Sequence, residues 1–281
     1  MMKGIIFRLA PLTATILMLF TGCQKESFEK DQFYRMYGRG TGDVGSFIGQ
    51  LMDQKVYFGH QSVGYNILDG VEQWQNETGI VLSKSFTRDF SSGAETSIVH
   101  FRVGENGEPH AKIDDFVALV SQIPEEEKSI AFFKFCFADF NEDTDVDELF
   151  AYFSEKMLYL KDKHTNIKFV ITTIPAMAVQ KGWRALAKKI LGRAPYGYSQ
   201  NISISEFNQK VLSEFKGILP VFDLAGIEVT RPDGTMETFR HKGKDYPCMP
   251  DYYASDYGHL NDFGARTVSY NLLAFLAEEL K

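Results

Sequence analysis

Along this chain, short apolar runs alternate with longer segments whose apolar residues recur at helical spacing. Lys55–Gly59 is one such run, and Ser62–Gln75 follows it with Tyr65, Leu68, Val71 and Trp74 on one helical face. Ile80–Phe86 and Ser97–Val103 are both strand-like, with polar or Gly-rich residues between them. Helical spacing returns at Lys112–Ile123. Ser129–Phe137 (SIAFFKFCF) is the most apolar run after the N-terminal leader and predicts a central strand. A long helix is expected at 146–163, then a strand over 167–175, a basic segment over about 177–200, a helix over 203–217 and a strand at Leu219–Leu224. A long loop then runs through Tyr257, and the chain closes on an amphipathic helix with Asp262 placed to cap it.

Strands alternating with helices predict a parallel sheet with helices on both faces. The expectation is a three-layer α/β/α fold, flavodoxin-like, with about five strands. No internal repeat is present, and one domain over 51–281 accommodates the pattern. The segment 23–50 is polar and Gly-rich and reads as a tether.

The first residues do not fit this scheme. Lys3 and Arg8 precede an apolar stretch, Leu9–Phe20, too short to span a bilayer comfortably. The reading is a signal peptide over 1–22. Thr21-Gly22-Cys23 resembles the lipobox of bacterial lipoproteins, with Phe20 where Leu is usual; the resemblance implies a lipidated Cys23 and a membrane-anchored protein of the cell envelope. Removal of the leader leaves about 260 residues, enough for one large core. The formal charge of −7 becomes about −9, since the leader carries two basic residues and no acidic one. An acidic balance argues against nucleic acid as partner. With Cys23 assigned to lipid, Cys136 and Cys248 remain, and whether they pair is open.

The chemistry concentrates in two stretches. In "VYFGHQSVG", a buried run ends on His60-Gln61-Ser62 and a helix begins. Ligands of open parallel sheets bind beyond the carboxyl ends of the strands, and a helix N-terminus favours an anion. Ser62 is therefore either a nucleophile or an ordinary helix cap. A serine nucleophile needs a base, and "SDYGH" supplies Asp256 and His259, spaced so that the carboxylate orients the imidazole. A metal site from His60, Asp256 and His259 lacks any closely spaced ligand pair, so no metal and no cofactor is expected.

These stretches together resemble the SGNH/GDSL hydrolase family. Ser62 of "GHQSVG" matches that family's first block and Asp256 and His259 of "SDYGHLNDFG" its last, and the resemblance runs from about Lys55 to the C-terminus. It implies a serine esterase acting through an acyl-enzyme on Ser62. His60-Gln61 stand where Gly-Asp is usual. The middle block appears as "CFADFN": with Asp139 as its final Asp, Ala138 takes the place of the oxyanion-binding Asn. Gly104 best matches the family's backbone donor, with Gly107 second. Asn141 or Asn106 would supply the missing amide unless the N–H groups of Ser62 and Gly104 suffice. His60 is read as contacting substrate or packing under the loop. Lys134, alone in an apolar run, needs a partner, and Asp139 or Asp89 is expected. The basic stretch Lys181–Arg193 is read as a solvated helix face, a lid, or a surface lying against an anionic membrane. The expected substrate is a small-molecule or glycan ester, with O-acylated carbohydrate the first choice. The alternative is a degenerate domain that binds glycan without hydrolysing it.

Overall fold

A computed structural model describes residues 41–280 of the chain. Its elements run α1 (Thr41–Leu51), β1 (Val56–His60), α2 (Ser62–Thr78), β2 (Lys84–Phe86), β3 (Ile98–Arg102), α3 (Pro109–Val120), β4 (Ser129–Phe133) and α4 (Val146–Lys163). They continue β5 (Ile167–Phe169), β6 (Ile171–Thr172), α5 (Gly182–Ile190), α6 (Tyr198–Glu214), β7 (Val221–Phe222), α7 (Leu224–Val229), β8 (Thr238–His241), β9 (Lys244–Pro247) and α8 (Asp262–Glu279). Five parallel strands form the main sheet in the order β2-β3-β1-β4-β5. Beside it, β6 pairs in parallel with β7, and β8 and β9 form an antiparallel hairpin. The leader and Cys23 lie outside the described residues.

The expected parallel five-stranded sheet is present. β1 sits in its middle, with Val56 and Gly59 paired to Ile98 and Phe101 on one side and to Ile130 and Phe133 on the other. Chain order reverses at β1, which makes its carboxyl end the place where an open sheet leaves a crevice.

One face of the sheet is covered by a phenylalanine-rich core in which Phe101, Phe116, Phe133, Phe153 and Phe207 are all buried. On the other face the pairing of α2 with α8 matters most for the site. At Gly70 a Cβ atom would lie 2.2 Å from the carbonyl oxygen of Ala265, so only glycine lets the two helices approach this closely. Trp74, fully buried, donates its indole N–H to the Arg266 carbonyl at 3.1 Å, and the Arg266 guanidinium lies 3.6 Å over the same ring. Truncation of a tryptophan so placed costs about 3–5 kcal/mol. This seam fixes the start of α2 beside the loop that leads into α8.

Several expectations are corrected. The tether does not extend to residue 50: Thr41–Leu51 is helical and buries Val44, Ile48 and Leu51. The cap of α8 is Asn261, whose Oδ1 accepts the Gly264 N–H at 2.9 Å, and Asp262 is the first helical residue. The long loop before Tyr257 contains α7 and the β8–β9 hairpin. The central strand stops at Phe133 and ends in a single 3-10 turn at Phe137–Asp139. Cys136 and Cys248 are both buried free thiols, and burial pushes Cys248 up to about 11.

Candidate active site

β1 delivers the chain to the sheet's carboxyl edge and α2 begins at once, because no residue separates them but Gln61. Gln61 holds the N-cap position in extended backbone, and its side chain does not cap the helix. Instead its Nε2 donates to the carbonyls of Val103 (2.9 Å) and Gly104 (2.7 Å), tying this turn to the end of β3. Ser62 is thus not the N-cap but the first residue of α2, half-buried at the helix N-terminus. N–H groups in a first helical turn have no intrahelical carbonyl ahead of them, and the helix dipole adds positive potential there.

His60 takes the bland role. It is fully buried, its ring packed under Gly64, where a Cβ would come within 2.2 Å of the imidazole. Its Nδ1 donates to the Gln61 carbonyl at 3.0 Å, which leaves Nε2 to accept from His100 Nδ1 at 3.1 Å. Burial drives His60 down to about 3, so the imidazole is neutral. Of the two readings of His60, burial selects packing under the loop and corrects the one that gave it a substrate contact.

The loop before α8 carries the acid–base pair. His259 Nδ1 lies 2.8 Å from Asp256 Oδ2 and 3.0 Å from Oδ1. Asp256 Oδ1 also accepts the N–H groups of Gly258 (2.8 Å) and His259 (2.9 Å). Burial acts to raise the Asp256 carboxyl, but those N–H groups and the ring outweigh it and hold it below the usual carboxylate value. An ionised Asp256 then fixes the tautomer with Nδ1–H toward itself and Nε2 free. Phe137 stands edge-on to the His259 ring, centroids 5.8 Å apart.

The link between the two stretches is Asn66, one turn along α2 from Ser62. Its Oδ1 accepts the N–H of Leu260, next to His259, at 3.4 Å. Among the described residues no hydrogen bond joins Ser62 Oγ to the imidazole, which is common before substrate is bound. Asn66 and Gln61 were missed in the sequence; the signal for Asn66 was its four-residue spacing from Ser62.

The expected oxyanion donors are otherwise engaged. The Gly104 N–H donates to Asp115 Oδ2 at 2.7 Å, and Asp115 is held in turn by Arg88. The Gly107 N–H donates to Asp139 Oδ1 at 2.9 Å. Asp139 is buried and paired with Lys112 through both oxygens, at 2.8 and 2.7 Å, and it accepts the Cys136 N–H as well. Asn106 Oδ1 receives the same Lys112 ammonium at 2.8 Å. Asn141 is exposed and builds a local turn, its Oδ1 accepting the Asp143 N–H at 2.8 Å. Ala138 is exposed and offers no donor.

Lys134 is not the partner of Asp139, nor of Asp89, which is turned toward Ser91 on an exposed loop. Its buried ammonium donates to the Phe135 carbonyl at 3.3 Å, and burial brings it down to about 8. The nearby Glu228, equally buried, is pushed up to about 8 by burial, against the pull of the Ala176 N–H at 2.7 Å. Among the described residues no group of three or more His, Cys, Asp or Glu is placed to hold a metal.

Comparison with known proteins adds the following. No family model and no curated protein matches the chain. A GDSL-like lipase from Bacteroides thetaiotaomicron shares its fold, with TM-score 0.50 and 12% identity over 81% of this chain and 89% of that one. A member of the lipolytic G-D-S-L family from Veillonella parvula aligns at TM-score 0.44 and 10% identity, over 79% and 96% of the two chains. The periplasmic domain of a lipopolysaccharide acetyltransferase from Salmonella Paratyphi A aligns at TM-score 0.43 and 12% identity, over 82% and 85%.

Proposed function

The chain has the SGNH/GDSL hydrolase fold, and on that scaffold we propose that it hydrolyses carboxylic esters with Ser62 as nucleophile. The observation that carries this reading is the Asp256–His259 pair, with Nε2 left free, anchored through Asn66 to the helix that begins at Ser62. Ser62 Oγ attacks the ester carbonyl carbon while His259 Nε2 takes its proton. The tetrahedral intermediate collapses as the imidazolium protonates the departing alcohol. Water, deprotonated by the same nitrogen, then attacks the acyl-enzyme and releases the acid and free Ser62. Asp256 orients the ring and stabilises its charged form. The oxyanion rests on the N–H groups at the start of α2, since those of Gly104 and Gly107 are spent on carboxylates.

The pair is open to solvent, with the His259 side chain 34% and that of Asp256 59% exposed. An exposed base suits an acyl group carried on a bulky polar alcohol, and O-acylated carbohydrate is the substrate class we favour. Anchoring at the cell envelope through Cys23 belongs to the same proposal and rests on the leader pattern; loss of palmitate-analogue labelling in Cys23→Ala tests it.

A second reading, glycan binding without hydrolysis, is favoured by the occupied Gly104 and Gly107 N–H groups. Turnover of a chromogenic short-chain ester, with fluorophosphonate labelling, separates the two. Hydrolysis should fall by roughly four orders of magnitude or more in Ser62→Ala, with labelling abolished. Turnover that survives Ser62→Ala ends the serine-hydrolase reading, and a wild-type protein that neither turns over nor labels leaves the binding one.

A further inference from the structure

Most surface helices turn their apolar stripe inward, and α5 does the reverse. Ala185 is the one buried residue of α5, while Trp183 (74% exposed), Leu186 (59%) and Ile190 (76%) stand in solvent, continued by Leu191 (71%). At 100° per residue, Trp183, Leu186 and Ile190 share a face turned away from Ala185. Arg184 lies to one side of that face and Lys189 to the other, while Lys188 falls on the opposite side of the helix, near Ala185. Among the described residues none of Arg184, Lys188, Lys189 and Arg193 has a carboxylate partner, although Arg184 lies 5.5 Å over the Trp183 ring and Lys189 5.1 Å over the Tyr198 ring. These cations without carboxylate partners gather in a chain whose overall charge is −7.

The helix is nevertheless firmly mounted. Lys181, just before it, pairs with Glu237 (3.2 Å) and Asp251 (3.0 Å). The two ends of the excursion are joined by Gln180 N–H to Tyr196 O at 3.0 Å. The Tyr196 ring packs on Tyr257, which neighbours Asp256, and the Ala178 N–H donates to the Tyr257 carbonyl at 2.9 Å. The segments flanking α5 are therefore tied to the loop that carries Asp256 and His259.

We propose that α5 is a docking element for an anionic phospholipid surface, with Trp183, Leu186, Ile190 and Leu191 entering the interface and the flanking cations contacting headgroups. Charge complementarity identifies the occupant: apolar insertion alone would suit any greasy partner, whereas Arg184 and Lys189 beside the apolar face, with no carboxylate to neutralise them on an otherwise acidic protein, select a negatively charged sheet of lipid. With nine residues, α5 lies on a bilayer and does not cross it, and no described helix is long and apolar enough to do so. Docking there brings the Ser62–His259 edge close to the membrane plane.

The chain contains its own probe, because its two tryptophans are the fully buried Trp74 and the exposed Trp183. The full chain carrying Cys23→Ala is mixed with vesicles of phosphatidylcholine containing about 30 mol % phosphatidylglycerol, or with phosphatidylcholine alone. The expected result is a blue shift of tryptophan emission with the anionic vesicles, at least about tenfold weaker binding to the neutral ones, and reversal in about 0.5 M NaCl. Leu186→Ser with Ile190→Ser keeps Trp183 and should weaken the response about tenfold or more. Arg184→Gln with Lys188→Gln and Lys189→Gln should weaken it by roughly a hundredfold. Four of the five positions are exposed and Lys188 is half-buried, and an unchanged thermal midpoint confirms that the variants fold. The proposal is overturned if the protein sediments with vesicles while Trp183 emission stays unmoved, as anchoring by the N-terminal apolar stretch alone would give. It is overturned equally if the shift is the same with neutral vesicles, or if it appears without lipid as protein concentration rises.

Discussion

The two halves of the candidate site are built in opposite ways. The acid–base half lies within four residues, Asp256 to His259, and one carboxylate there satisfies two backbone N–H groups and the imidazole together. The oxyanion half draws on β3, α3 and the turn after β4, and there the family-like positions serve structure: Gly104 answers to Asp115, Gly107 to Asp139, and Asp139 to Lys112. A local motif survives as a unit because its geometry is set by its own short loop. A motif assembled from separate segments depends on hydrogen bonds made far apart in the chain, and here the Gly104 and Gly107 N–H groups donate to carboxylates.

If the acid–base half performs the chemistry, its disruption should have the largest effect. Asp256→Asn keeps the size of the side chain but favours the wrong imidazole tautomer. Ester turnover should fall about 10⁴-fold, equivalent to about 5.5 kcal/mol, with folding unchanged. A loss below tenfold would separate Asp256 from catalysis. Asp139→Ala sharpens the comparison from the other side. It strands a buried Lys112 ammonium and two backbone N–H groups, so urea unfolding should show a loss of about 3–5 kcal/mol. Turnover per folded molecule should change little; a hundredfold drop in a fully folded sample would return Asp139 to the reacting centre.

These differences also explain what the sequence disclosed. The parallel sheet was legible because strand runs and helical spacing alternate over the whole domain, and "SDYGH" was legible because its partners are three residues apart. The fate of the Gly104 N–H was not, since it depends on Asp115 in α3 and on Arg88 far upstream. Proximity in sequence suggested Lys134 for Asp139, but the carboxylate is reached by Lys112 from α3, and Lys134 is left to a backbone carbonyl. Helix α1 was hidden by its three glycines, Gly42, Gly45 and Gly49, although Val44, Ile48 and Leu51 recur at helical intervals.

A third region, the buried Lys134 and Glu228, belongs to neither half and yields a smaller effect that depends on pH. Burial raises Glu228 from 4.5 to about 8. The folded state therefore holds a proton that the unfolded chain releases between those values, and stability falls as pH rises through that window. Glu228→Gln retains an acceptor for the Ala176 N–H but cannot titrate. Relative to the wild type it should gain stability steadily between pH 5 and pH 8, read from urea midpoints. A variant destabilised equally at every pH would show instead that Glu228 is ionised as the counter-charge of Lys134.

The smallest effect is expected at Asn141, where the comparison is easiest to break. A displaced side-chain amide is the one way the oxyanion half could still match the SGNH/GDSL pattern despite Ala138. Asn141 is the candidate in the loop, yet its Oδ1 accepts the Asp143 N–H, its own N–H donates to Thr144 Oγ1 at 2.9 Å, and its carbonyl accepts Ser203 Oγ at 2.7 Å. These bonds place it as the turn that leads into α4. Asn141→Ala should leave ester turnover within about twofold of the wild type, because loss of a true oxyanion donor costs about a hundredfold or more. The accompanying loss of stability should stay near 1 kcal/mol, the usual value of one turn hydrogen bond at an exposed position. A hundredfold fall in kcat with KM unchanged would mean that the Asn141 amide swings onto the oxyanion when substrate binds. The two halves of the site would then be alike after all, and the start of α2 would lose its place as the sole support of the negative charge.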